Sequence, residues 1–216
     1  MYNSSIDPMS MPLLYLVRHG ATEANDTNKF RGHLDYPLDD DGVEAAEEAA
    51  YWLCFRPVAF IAASPLRRAV QTAEKIGPAL QLDFDRNPGL LPWNIGRFAG
   101  KPREQYRSDL EKYVKNPDLV PPDGESLNDF QRRYADTLYR YIAQASYQQP
   151  GVLVTHSSGI TAAHVALYPE FEGQGPGMID IVEPGGIVAV HIGLDNKAKL
   201  VPVLGEVVSD STTTFT

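Results

Sequence analysis

The stretch LLYLVRHGATEAN (residues 13–25) sets five apolar residues, Leu13 to Val17, directly against Arg18, His19 and Gly20. So short an apolar run, stopped by a glycine, reads as a buried strand, although periodicity alone does not separate it from a helix fragment. Burying a cation at the end of a core strand is costly unless something pairs with it. Either the Arg-His pair caps the sheet in solvent or it waits for an anion.

Outward from this stretch, short apolar runs alternate with helical patterns, which predicts an α/β architecture. Strands are expected at 13–17, 58–63 (VAFIAA), 151–155 (GVLVT), 178–182 and 187–192 (IVAVHI), with shorter pieces near 82–85 and 199–203. DDDGVEAAEEAAYWL opens on acidic residues that suit a helix N-terminus. SPLRRAVQTAEKI offers Ser64 as cap and Pro65 at the first helical position, with Leu66, Ala69, Val70, Ala73 and Ile76 on one face. ESLNDFQRRYADTLYRYIAQA is capped by Ser126 and turns Leu127, Phe130, Tyr134, Leu138, Tyr141 and Ile142 inward. A fourth long helix is placed after THSSG. Residues 86–125, rich in Pro, Gly and charge, read as an excursion from the sheet with one short helix around 102–114, long enough to cover a site.

With 216 residues, 43% of them hydrophobic, the chain is long enough for one full core, and a single domain over 12–205 with tails at 1–11 and 206–216 is expected. A net charge of −9 argues against nucleic acid or an anionic membrane as partner. MYNSSIDPMSMP lacks the basic and apolar regions of a signal peptide, and no apolar run is long enough to span a bilayer, so a cytoplasmic location is expected. The single cysteine, Cys54, excludes an internal disulfide and lacks an arginine six residues on, where Phe60 stands, so it is assigned to core packing. No HExxH and no Cys/His spacing points to a metal or another cofactor.

Three strand ends carry chemistry. The first delivers Arg18 and His19, the second is followed by Arg67 and Arg68 in the first turns of a helix, and the third, VLVTHSSGI, ends in His156. Open parallel sheets place their ligands at this edge. Arginine beside a helix N-terminus is a phosphate-binding arrangement. One strand-end histidine is ordinarily structural; three such coincidences on one edge favour a phosphoryl group as the awaited anion. His164, within a helix, and His191, within a strand, read as structural, and His33 falls near the expected mouth.

LVRHGATEAN, SPLRRAVQTA and VLVTHSSGI closely resemble the signature segments of the histidine phosphatase superfamily, in its phosphoglycerate-mutase-like branch. NKFRGHLDYPLDDDGVEAA and PPDGES resemble its intervening segments, and the likeness covers roughly residues 13–192. The resemblance implies a three-layer α/β/α sandwich on a mostly parallel sheet with a small cap. It implies His19 as a nucleophile that becomes phosphohistidine, Arg18 and Arg68 clamping the phosphoryl oxygens, Asn25 as a further donor and His156 stabilising the transferring group. Arg31 and Gly32 match positions at the pocket mouth, whereas Arg67 matches nothing in the motif and is expected at the surface.

The likeness breaks at LLPWNIGRFAGK. The family carries an acid there, in a pattern like L-x-E-x-x-x-G-x-x-x-G, that protonates the leaving group; aligning Gly96 and Gly100 puts Pro92 in its place. A general acid contributes about 10²–10⁴ in rate. Glu23, Asp35 and Glu125 are the acidic replacements weighed, with Glu125 preferred. The chain also looks short where the mutases insert extra basic residues. These features favour hydrolysis of a small-molecule phosphate ester, with mutase-type transfer and a phosphate-binding pseudoenzyme or interaction module as alternatives.

Overall fold

The computed structural model describes residues 12–25, 27–146, 148–168, 175, 181–193 and 197–208. Strands β1 (Leu14–Arg18), β2 (Phe60–Ala63), β3 (Phe84–Arg86), β4 (Gly151–Thr155), β6 (Ile187–Ile192) and β7 (Ala198–Leu204) form one sheet in the order β3-β2-β4-β1-β6-β7. The first four run parallel, and β6 and β7 are antiparallel additions at one side. Of the expected strand 178–182, residues 178–180 lie outside the described residues. β5 (Ile181–Val182) pairs instead with β8 (Val207–Val208) in a separate ribbon. The C-terminal tail expected from 206 therefore still contains paired backbone.

Helices cover both faces, as the apolar alternation along each strand requires. Tyr15, Val17, Ile61, Ala63, Val152 and Val154 face α1 (Asp40–Leu53) and α2 (Arg67–Leu80). Leu14, Leu16, Ala62 and Leu153 face the opposite layer, built from α4 (Leu127–Gln144), α5 (Ser157–Leu167) and, further out, α3 (Arg103–Lys115). The result is the expected α/β/α sandwich. α3 is the short helix of the 86–125 excursion.

Local chemistry sets the helix starts. Asp39 caps α1 by accepting from the Gly42 amide at 2.7 Å, and Ser126 caps α4 by accepting from the Asp129 amide at 3.0 Å. Helix α2 differs from the expectation. It begins at Arg67 with Leu66 in the cap position; the Ser64 hydroxyl, two residues before the cap, lies 2.8 Å from His156 Nε2 and accepts from the Leu66 amide at 3.5 Å. Helix α5 starts at Ser157, inside the THSSG segment rather than after it. Cys54 is exposed, a correction to its assignment in the core. The buried stripe of α1 is Ala46, Ala49, Ala50 and Leu53, and the next residue turns about 100° away from it.

Among the described residues no helix is long and apolar enough to cross a membrane.

Candidate active site

Sheet order brings the three chemical segments together. β4 lies between β2 and β1, and register pairs Arg18 with Thr155 and Ala63 with Val154, so the three parallel strands end nearly level. His19, Ser64 and His156 each follow one of these ends. The first turn of α2 adds Arg68. A cavity of about 90 Å³ opens there, lined by His19, Arg68, His156 and Ser157 at the sheet edge and by Arg31, Pro92, Trp93 and Arg103 from the loops and α3.

Hydrogen bonding fixes the His19 tautomer. Arg68 Nε donates to His19 Nε2 at 3.1 Å, so Nε2 carries the lone pair and Nδ1–H donates to the Gly20 carbonyl at 2.7 Å. Burial and the fields of Arg68, Arg31 and Arg18 hold the His19 pKa well below its ordinary value. At neutral pH the ring is uncharged and nucleophilic. His156 is likewise held neutral by burial and by Arg68; its ring centroid lies 5.0 Å from that of His19. His156 Nδ1 is buried without a hydrogen-bond partner among the described residues.

Arg68 is 2% exposed and is aimed by the loop opposite: its Nη atoms donate to the carbonyls of Leu34 at 2.7 Å and Gly32 at 3.2 Å. Burial lowers its pKa to about 10, which leaves it charged at neutral pH. The next residue back, Arg67, is exposed, and its amide donates to Asp35 Oδ1. Gly32 holds a left-handed φ of +49° on the cavity wall, where a Cβ would stand 2.8 Å from Ile95.

Other expected residues occupy different places. Arg18 donates to the Val182 carbonyl at 2.8 Å and is not on the cavity wall, so it reaches His19 through its field. Asn25 is also off the wall. Its Oδ1 accepts from the Thr22 amide and hydroxyl and from Arg31, the last at 2.7 Å, so it positions Arg31. Glu125, the preferred replacement acid, is not brought to the cavity either. Arg133 holds its carboxylate at 2.7 Å, and the Asn94 amide donates to the same oxygen at 3.0 Å. Pro92 does line the cavity, and among the described residues no Asp or Glu does.

The residue pattern left four participants unassigned. Ser157 and Ser158 occupy the first turn of α5, whose cap residue His156 makes no side-chain capping bond, so this helix N-terminus faces the cavity. Arg103 reaches the same cavity from α3. Arg133 acts at one remove: besides Glu125 it donates to the carbonyls of Pro88, Gly89, Leu91 and Pro92, bracing the loop that carries Pro92 and Trp93. The signal for the serines was their place directly after a strand-end histidine. Nothing local marked Arg103 or Arg133. Among the described residues, no group of three or more His, Cys, Asp or Glu is arranged to hold a metal ion.

A buried neutral imidazole, a charged guanidinium on its lone pair and an open helix N-terminus form a site for a tetrahedral oxyanion. Comparison with known proteins identifies the family. The family model for the histidine phosphatase superfamily (branch 1) matches residues 14–196. A probable phosphoglycerate mutase GpmB of Proteus mirabilis is 31% identical over 148 residues, covering 66% of this chain and 68% of that one. Phosphoserine phosphatase 1 of Hydrogenobacter thermophilus is 29% identical over 162 residues, covering 73% and 76%. A mycobacterial glucosyl-3-phosphoglycerate phosphatase, in a complex with VO3, superposes with a TM-score of 0.76 at 26% identity, covering 89% of this chain and 98% of the other. With its matched segment taking in β1 through β6, this chain belongs to branch 1 of the histidine phosphatase superfamily.

Proposed function

We propose that the protein hydrolyses small-molecule phosphate esters through a phosphohistidine on His19. The observation that carries this reading is the Arg68 Nε contact on the His19 Nε2 lone pair, which aims a neutral nucleophile and a cation at one point. His19 Nε2 attacks phosphorus, the ester P–O bond breaks, and the leaving group departs with the bonding pair. Water then attacks the phosphohistidine, the P–N bond breaks, and inorganic phosphate leaves. Arg68, His156 and the first turn of α5 hold the equatorial oxygens while charge spreads over them. Arg18 and Arg31 contribute their fields and hold His19 in its neutral form.

Departure of the leaving group sets this chain apart. Pro92 has no proton to give, and the Glu125 carboxylate is engaged by Arg133. We therefore assign no carboxylic acid to the step, which favours esters whose leaving groups are stable as anions.

The direct test is phosphoenzyme trapping with an alkaline quench, which preserves phosphohistidine. Label is expected on His19 and absent from His19→Ala; label on serine or aspartate, or equal label in the variant, overturns the mechanism. Stimulation of phosphoglycerate interconversion by bisphosphoglycerate in the same preparation would identify a mutase instead.

A further inference from the structure

Ser64 follows β2 and is wholly buried, and its backbone amide donates to the Val154 carbonyl of β4 at 2.9 Å. Its hydroxyl has two partners among the described residues: the Leu66 amide donates to it at 3.5 Å, and His156 Nε2 lies 2.8 Å away. The first contact uses an oxygen lone pair, so the ring nitrogen is the one acceptor within reach of the hydroxyl hydrogen. His156 follows β4, is 3% exposed, and accepts at its carbonyl from the Ile160 amide at 3.0 Å. Both residues thus sit on backbone that the sheet and α5 already fix.

These contacts select a tautomer. The neutral ring of His156 bears a single N–H. Placed on Nε2, that hydrogen would point at Ser64 and leave two buried groups orphaned, the serine O–H and the Nδ1 lone pair. Placed on Nδ1, it lets Ser64 donate to Nε2 and leaves one orphan, the Nδ1–H. Every buried polar group without a partner costs free energy, so the second arrangement is favoured. His19 has the opposite polarity, with its lone pair on Nε2 and its hydrogen on Nδ1 committed to the Gly20 carbonyl. Both rings line the cavity, their centroids 5.0 Å apart. One therefore supplies a nucleophilic lone pair, and the other has an N–H that nothing in the folded chain uses.

We propose that Ser64 is a positioning residue: its hydroxyl donates to His156 Nε2, fixes the Nδ1–H tautomer, and so makes His156 a hydrogen-bond donor to a non-bridging phosphoryl oxygen. A lone pair in place of that N–H would repel the same oxygen, so the serine sets the sign of the contact. The role in turnover rests on the phosphohistidine reading; the tautomer does not.

Nuclear magnetic resonance of protein labelled with nitrogen-15 in its histidine rings reads the tautomer directly, from two-bond correlations between ring carbons' hydrogens and each nitrogen. The His156 signals are those missing from His156→Gln. In the wild type Nδ1 is expected to carry the hydrogen, and titration with inorganic phosphate to move that N–H downfield. Ser64→Ala is expected to mix the two tautomers and to weaken phosphate binding about tenfold, the scale of one charge-assisted hydrogen bond. Ser64→Thr keeps the hydroxyl and is expected to retain the tautomer and to bind phosphate within about threefold of the wild type. An Nε2–H ring in the wild type, an N–H indifferent to phosphate, or a Ser64→Ala protein with unchanged tautomer and binding overturns the assignment. Should Ser64→Ala fail to fold, the wild-type spectrum with and without phosphate still decides. The phosphate response without label on His19 leaves the donor standing and removes the phosphohistidine reading. Label on His19 with an Nε2–H ring in His156 does the reverse.

Discussion

Arg68 Nε donates to His19 Nε2 across 3.1 Å, joining the first turn of α2 to the residue that follows β1. This contact converts a basic side chain into an orienting group: it selects the tautomer, marks where the lone pair points, and places positive charge where a phosphoryl oxygen would arrive. The carbonyls of Leu34 and Gly32 hold the other side of the guanidinium, so little reorganisation accompanies substrate binding.

Arg68→Ala is accordingly expected to lower kcat/KM by about 10²-fold or more, on the scale of losing a preorganised transition-state donor. Arg67→Ala, one position away and solvent-exposed, is expected to cost about twofold or less, as surface charges contribute about 0–1 kcal/mol. Parallel kinetics of both variants decide the matter. Equal losses refute the assignment.

Leaving-group dependence tests the consequence of Pro92. Turnover by the wild type is expected to fall steeply as leaving-group pKa rises, because an alkoxide departing without a proton carries its full charge. Pro92→Glu is expected to raise alkyl ester turnover, within the roughly 10²–10⁴ range of general-acid catalysis, and to leave aryl esters little changed. A series of esters spanning alkyl and aryl leaving groups gives the slope for each protein. A shallow slope in the wild type means another group already supplies the proton.

Glu125→Gln is expected to leave that slope unaltered and to act on stability instead. Glu125 and Arg133 are both partly buried, with side chains 22% and 29% exposed, so the lost charge-assisted bonds amount to about 1–3 kcal/mol. Urea denaturation measures the loss. A change of slope with unchanged stability would restore Glu125 as the acid.

The two histidines make stability depend on pH. Both are held below the ordinary value near 6.5 in the folded protein, so the unfolded chain binds more protons as pH falls. Their stabilisation is complete above about pH 6.5 and declines as the solution becomes more acidic, by up to about 1.4 kcal/mol per pH unit for each proton taken up. Unfolding free energies at pH 7.5, 6.5 and 5.5 are expected to show the decline, and His156→Gln to make it shallower. Equal stability across this range, or a rise toward acid, contradicts the buried neutral assignment.

Local pattern determined much of this protein. Leu13 to Val17 read as a core strand, the apolar face of α2 was expected to pack inward, and three strand ends with basic residues were expected on one edge of a mostly parallel sheet. Those features follow from side-chain periodicity and chain direction, which neighbours in sequence already specify. The Pro92 departure was also visible there, because it is a change of residue at a motif position. Tertiary structure decided the partners. Ser64 looked like a helix cap and became a partner of His156, since β4 inserts between β2 and β1. Glu125 looked like an available acid until α4 brought Arg133 to it, and Arg103 joined the cavity only when the excursion folded back. The Ser64–His156 contact spans 92 positions, and even Glu125 and Arg133, eight apart, meet only once α4 is formed; the charge state of a buried imidazole is set by what such contacts place within a few ångströms.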